Sequence, residues 1–412
     1  MVSRLRRLLG RLARGGIRAI LRSLPPVHDD IVVIDSQFPQ RVPLAFRNTE
    51  INEYFRRVAN VRSYAMYPMA PDAGAWFTHG YGTTAREYAQ SRQGYLTFYP
   101  QNRRRIRRLM EHRRYRFNLA YTFFLAETYV ALPFLEKNRT PFVFVLYPGG
   151  SFGLDNEASD RMLARVFASE FFREVIVTQQ RTWDYLVGKG LCEPGRMSFV
   201  YGGFPAYRAE QVHEKLRYPE DKPTLDVCFV AAKYSERGVD KGYDLFIDAA
   251  RRVAKQEPSV HFHVVGGFTA GDIDVLDIAD RLTFHGYQRP DYLLDFYSRM
   301  DAIVSPNRPG QLYPGNFDGF PLNPDAAFCG SAMFVSDELG LNLFYADGEE
   351  IVVIPLDGAQ IAALLLRHLK QPEALYALAA RGMATTQELF DIDLQVERRL
   401  DVFRKYATVR LR

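Results

Sequence analysis

Short apolar runs alternate along this chain with longer stretches in which apolar residues recur every three or four positions. That alternation predicts parallel strands separated by amphipathic helices. In the first half, residues 31–34, 140–147, 174–178 and 197–201 read as buried strands, two of them running into Pro148-Gly149-Gly150 and Gly202-Gly203. A polar stretch over 207–224, with Pro219 and Pro223, interrupts the pattern. A second unit opens with a strand over 225–231, a helix over 242–255 and a strand over 260–265 that ends in Gly266-Gly267. Strands over 282–285, 302–304, 332–335 and 351–354, then helices over 359–370 and 372–381, continue it. The expected architecture is α/β: two Rossmann-like, doubly wound parallel-sheet domains facing a cleft. Their expected bounds are 27–210 and 225–390, joined by a linker over 211–224, with a helix over 391–412 returning toward the first domain. Ligands of such sheets bind at the carboxyl ends of the strands.

Composition narrows the class. A chain of 412 residues with 47% hydrophobic and 14% aromatic content has material for two packed cores and is not extensively disordered. Cys192, Cys228 and Cys329 have neither zinc spacing nor a CxxC pair, which fits a reducing cytosol. No apolar run reaches the roughly 18 residues of a membrane span, and no cleavable signal is expected.

The net charge of +5 is modest but uneven. Arg4, Arg7, Arg11, Arg14, Arg18 and Arg22 form one helical stripe, with Val2, Leu5, Leu9, Leu12 and Ile20 opposite. No acid interrupts residues 1–26, and Pro25-Pro26 ends the segment. Such a helix reads as an anchor on an anionic membrane surface, placing the protein on the inner face of the cell membrane. A second arginine cluster over 103–116 would extend that surface. Nucleic acid is not the expected partner, since no recognition module accompanies these patches.

Candidate chemistry concentrates in residues 316–330, where Asp318 and Asp325 bracket a Gly-Phe-Pro-Leu turn. Asn323 is a suitable N-cap, Pro324 a suitable first helical residue and Asp325 a first-turn acid. A helix start attracts phosphate, whereas acids beside it repel phosphate and accept hydrogen bonds from sugar hydroxyls. Together they point to a nucleotide-sugar site.

Residues 225–390 resemble the nucleotide-binding half of a GT-B glycosyltransferase, in particular the retaining family 4 group (glycosyl transferases group 1). The resemblance rests on five segments in order: Lys241-Gly242 at a helix start, His263-Val264-Val265-Gly266-Gly267 at a strand end, Phe284-His285-Gly286-Tyr287-Gln288, Ser305-Pro306-Asn307, and Asp325-Ala326-Ala327-Phe328-Cys329-Gly330. The first half resembles the family's acceptor domain only in its βα pattern. Where the family has two glutamates separated by seven residues, this chain has two aspartates separated by six, and Phe317 holds the unmodified position. Tyr147 stands nearest to a histidine often found in the acceptor domain.

The resemblance implies a metal-independent, retaining transferase that moves a sugar from a nucleoside diphosphate to a lipid-linked or growing bacterial surface glycan, with no cofactor. Asp318 would orient the donor sugar and Asp325 the ribose, while Lys241 and Lys233 would neutralise the leaving diphosphate, with Arg237 an alternative to Lys233. Gly266, Gly319, Phe320 and Leu322 would line the nucleotide-sugar site, with Tyr287 and Gln288 against the base. Tyr147, Gly149, Gly150 and His79 would line the acceptor side. Asp272-x-Asp274 and Asp391-x-Asp393 mimic a metal motif but are expected to hold no metal. Two alternatives stay open: a nucleotide-sugar epimerase or hydrolase of the same fold, and a non-catalytic glycan-assembly protein on a decayed transferase scaffold.

Overall fold

The computed structural model describes residues 18–40, 45–69 and 82–412. Two all-parallel sheets organise them. The first contains β1 (Val27–Asp35), β2 (Val61–Ala65), β3 (Ile106–Arg108), β4 (Tyr115–Phe123), β5 (Phe142–Leu146), β6 (Phe172–Val177) and β7 (Met197–Phe199). Its spatial order is β3-β2-β1-β4-β5-β6-β7. The second contains β8 (Leu225–Val230), β9 (Val260–Val265), β10 (Leu282–Gly286), β11 (Ala302–Ser305), β12 (Ala332–Ser336) and β13 (Val352–Ile354), in the order β10-β9-β8-β11-β12-β13. Strand order therefore reverses twice, between β1 and β4 and between β8 and β11. A crevice opens beyond the carboxyl ends at each reversal, the usual ligand position in doubly wound sheets.

The buried strands follow from their residues. Ile31 to Ile34 and Phe142 to Leu146 lie at or near zero exposure, as β-branched and aromatic side chains covered on both faces should. Three strands were not expected from sequence: β2, β3 and β4. In β4, exposed Arg116 and Asn118 interrupt the apolar run. The edge strand β3 lies inside the arginine cluster, and part of that cluster is structural. Buried Arg105 donates to the Val58 carbonyl at 2.7 Å, Arg107 reaches Asp29 at 3.1 Å, and Arg108 donates to the Thr83 carbonyl. Arg103, Arg104, Arg114 and Arg116 remain exposed.

The helix expected to end at residue 381 runs on as Pro372–Leu389. The chain then crosses between the domains, and the helix Ile392–Arg404 lies on the first domain, where Ile392, Val396, Leu400 and Phe403 share a core with Ile31 and Val33. Arg399 is fully buried there, 3.4 Å from Glu50 and 3.1 Å from the Tyr147 hydroxyl. Gln395 donates to the carbonyls of Tyr201 and Leu389, tying this crossing to the earlier one near residue 201. The segment before β8 is fastened to the second domain: Leu216 donates to the Ser298 carbonyl, and buried Lys222 pairs with Asp226 and Asp301.

Of the basic stripe, residues 18–23 are helical with Arg18 and Arg22 exposed, and Ile20 on the apolar side is 61% exposed. Arg4, Arg7, Arg11 and Arg14, like His79, lie outside the described residues. Among the described residues no helix is long and apolar enough to cross a membrane.

Candidate active site

Lys241 and Asp318 lie on the segments that follow β8 and β11, the two strands flanking the second crevice. Beyond β8 the chain makes a 3-10 turn over Glu236–Lys241, with Arg237 and Gly238 in left-handed conformations. Gly242 then adopts φ +70° and starts the helix Tyr243–Ala254. A Cβ there would lie 2.0 Å from the Pro306 carbonyl oxygen, so only glycine lets this turn approach the end of β11. Beyond β11, a loop over 306–323 returns Asp318 to the same place. The Lys241 ammonium donates to Asp318 Oδ2 at 2.5 Å and lies 5.2 Å from the centre of the Tyr234 ring. Lys241 is buried, whereas the Asp318 side chain keeps 28% of its exposure.

The shortened acidic motif has a structural consequence. Phe317 is buried and packs edge-on against Phe152 of the first domain, ring centres 5.8 Å apart. The residue at the unmodified spacing therefore serves domain contact, and Asp318 is the acid that meets the lysine. Around Phe317 the domains share a clasp of hydrogen bonds: Asn316 bridges to Gly153, the Leu154 N–H donates to the Gly315 carbonyl at 2.8 Å, and the Asn156 side-chain amide donates to the Pro314 carbonyl at 2.8 Å. Gly315 has φ +74°, and a Cβ on it would lie 1.8 Å from the Leu154 oxygen. The clasp needs glycine there.

Other expected residues are placed differently. Lys233 does not join Lys241; its ammonium pairs with Asp272, which also accepts from the Thr269 N–H at 2.8 Å. That lysine hydrogen bond holds the Asp272 carboxyl below its usual range. Asn323 caps the helix Pro324–Phe328 by accepting from the Ala326 N–H at 3.1 Å, as expected. Asp325, expected to face ribose, is half-buried and accepts from the Ala206 N–H of the domain crossing at 2.7 Å. Burial raises its carboxyl to about 6, opposed by backbone hydrogen bonds from Ala206 and Tyr207.

Phe320 lies stacked near Tyr345, and Leu322 packs beside Tyr201, Phe328 and Phe390. Gly319 abuts Pro148 and Gln179 of the first domain. Gly266 closes β9 against Ala231, Tyr287 is 64% exposed with its ring over Gly267, and Gln288 donates to the His285 carbonyl at 2.5 Å. His285 contacts His263 at 3.1 Å, and burial, together with neighbouring His263 and His261, lowers it to about 4.

On the acceptor side, the Tyr147 side chain turns into the core. It is 7% exposed, its hydroxyl donates to Glu50 at 3.0 Å and accepts from Arg399, and burial raises its pKa. A tyrosine so engaged cannot stand in for a cleft histidine. Gly149 follows it at the domain contact facing the Phe317 carbonyl, and Gly150 is pressed against Phe124.

Sequence reasoning missed Tyr234, Arg308 and Gln179. Arg308 grips both oxygens of Asp244 at 2.8 and 2.9 Å and lines a cavity with Asn307, Asp318, Gly319 and Ser336. Tyr234 lies in the insert after Lys233, and Gln179 one residue past an expected strand end, so proximity to strand carboxyl ends was the available signal.

Residues 225–371 match the family model for glycosyl transferases group 1. No curated protein matches the sequence. Solved structures share the fold at low identity. Sucrose-phosphate synthase (tll1590) from Thermosynechococcus elongatus aligns at 15% identity and TM-score 0.60, covering 92% of this chain and 98% of its own. Alr3699/HepE from Anabaena, in complex with UDP and glucose, aligns at 13% identity and TM-score 0.62, covering 92% and 100%. A trehalose-6-phosphate protein from E. coli, bound with UDP-2-fluoro glucose, aligns at 12% identity and TM-score 0.57, covering 93% and 100%. The glycosyl transferases group 1 match thus covers the second domain over residues 225–371, and the chain shares the GT-B fold with these structures.

Proposed function

We propose that this protein transfers a sugar, with retention and without a metal, from a nucleoside diphosphate sugar to a lipid-linked or growing bacterial surface glycan. The supporting observation is the meeting of Lys241 and Asp318 at the crevice between β8 and β11. Breaking the bond between the sugar carbon and the phosphate oxygen leaves negative charge on the diphosphate. A fixed cation at that position stabilises it, and preorganised charge is commonly the largest catalytic contribution. The carboxylate beside it suits the hydroxyls of the sugar. In the retaining scheme the acceptor oxygen bonds to the same carbon on the same face, and its proton passes to the departing phosphate oxygen.

Uridine diphosphate sugars are the first donors to examine, because HepE from Anabaena is found with UDP and glucose. Exposed Arg18, Arg22, Arg103, Arg104, Arg114 and Arg116 support work at an anionic membrane surface, on the inner face of the cell membrane. Arg113 and Arg114 approach the carbonyls of Leu21 and Leu24 at 3.5 Å, so the two basic regions adjoin.

The test is thermal unfolding of the whole chain with UDP, GDP, dTDP and CMP and their sugars, in EDTA. The expected result is a dose-dependent rise with one diphosphate that Lys241→Ala abolishes. No rise with any nucleotide would overturn the donor-site reading and favour the decayed-scaffold alternative.

A further inference from the structure

Gln179 follows β6 and precedes the helix Gln180–Gly188 at the N-cap position, yet its side chain does not cap the helix. The carboxamide turns instead toward the second domain. A Cβ on Gly319 would lie 3.1 Å from Gln179 Nε2 and 3.4 Å from Cδ, so the amide stands against the turn that carries Asp318. Gln179 is only 6% exposed, and its Oε1 is buried with no hydrogen-bond partner among the described residues.

Burying an amide oxygen unpaired is costly, and folded proteins rarely tolerate it without a reason. Three hydroxyls on the segments after β5 and β6, those of Ser151, Thr178 and Thr182, are buried and unpaired too. Ser151 also sits in a left-handed conformation, φ +75°, that a non-glycine residue adopts only under constraint. Of these unpaired groups, the Gln179 amide is the one that stands against the Asp318–Gly319 turn, placed to meet a ligand hydroxyl there.

We propose that the Gln179 carboxamide binds a hydroxyl of the transferred sugar, making it a specificity-determining contact supplied by the first domain. A hydroxyl donates to Oε1, which satisfies the stranded acceptor, and can accept in turn from Nε2. The inference rests on Asp318–Gly319 being the donor-sugar turn. Diphosphate binding is assigned to Lys241, which bonds Asp318, so the amide is expected to affect the sugar and not the diphosphate.

The experiment compares wild type with Gln179→Met, which keeps length but removes both hydrogen-bonding groups. Calorimetric titration with UDP and with a panel of UDP-hexoses is paired with the Tm of the unliganded protein. The expected result has three parts. UDP affinity stays within about twofold, affinity for the preferred sugar nucleotide falls about tenfold, and Tm is unchanged or rises because the stranded oxygen is gone. A merely structural glutamine gives the opposite pattern, a lower Tm with sugar preference intact, and that overturns the proposal. Failure of wild type to bind UDP, GDP, dTDP or CMP in parallel titrations overturns the donor-site reading itself, and this inference with it.

Discussion

Lys241 and Asp318 are assigned to different parts of one ligand, yet they neutralise each other at 2.5 Å. Donor binding must therefore separate them, the lysine turning to the diphosphate and the carboxylate to the sugar. Asp318→Asn keeps the shape and removes the charge. Two unit charges about 4 Å apart at an effective dielectric near 20 attract by about 4 kcal/mol, an upper bound before desolvation and side-chain entropy are subtracted. Hydrogen bonds to charged groups retain about 1.5–3 kcal/mol net. The 28% exposure of Asp318 lowers that further, leaving about 1–2 kcal/mol that free diphosphate must overcome. The expected consequence is that Asp318→Asn binds UDP about 5–30 times more tightly than wild type, while sugar transfer from UDP-hexose falls. Calorimetric titration with UDP at two salt concentrations measures this, with Lys241→Met as the variant expected to lose binding. Equal or weaker UDP binding by Asp318→Asn, with an unchanged Tm, would refute the competition.

Other perturbations read the same architecture. Gly242→Ala forces a Cβ onto the Pro306 oxygen at a left-handed position, and should cost at least about 2 kcal/mol in denaturant unfolding. Phe317→Ala removes a buried ring from the domain contact with Phe152; a loss of about 3–5 kcal/mol should accompany faster proteolysis at the cleft, and an unchanged Tm would show that the clasp holds without it. Asp325 carries its proton up to about pH 6 when folded, but only to about 3.9 when unfolded. The folded state thus binds the proton more tightly, so this group's contribution is greatest below about pH 4 and is lost as pH rises to about 6. The loss is no more than about 3 kcal/mol, and smaller where water reaches the carboxyl. Asp325→Asn should abolish that decline, so the Tm advantage of the variant should grow across this window; a constant difference would place the titration elsewhere.

Much of the fold was legible because both sheets are built from strands covered on two faces, which read as continuous apolar runs. β4 escaped because Arg116 and Asn118 project to solvent from its first half. β3 escaped because an edge strand needs only one inward residue, here Ile106, and its arginines looked like surface. Within the site, Lys241, Gly242, Asn323 and Asp318 were legible through local backbone demands, a helix start and a cap. Their partners were not. Whether Lys233 meets Lys241 or Asp272, and whether Asp325 meets a ligand or the Ala206 amide, depends on how distant loops return. Local sequence carries no such information.

The one-residue contraction of the acidic motif joins these observations. Phe317 sits in the domain contact, and the next residue, Asp318, meets the lysine. The clasp formed by Gly315, Asn316 and Phe317 with residues 152–156 therefore fixes where Asp318 stands, and Gly319 beside it is pressed against Gln179. The Lys241–Asp318 pair and the domain contact thus belong to one short segment, so moving Asp318 off Lys241 should pull on the residues that hold the domains together. Ligand binding at Lys241 and Asp318 should therefore be coupled to the strength of the domain contact. That coupling gives Phe317, the residue before the acid, a mechanical role in the domain contact.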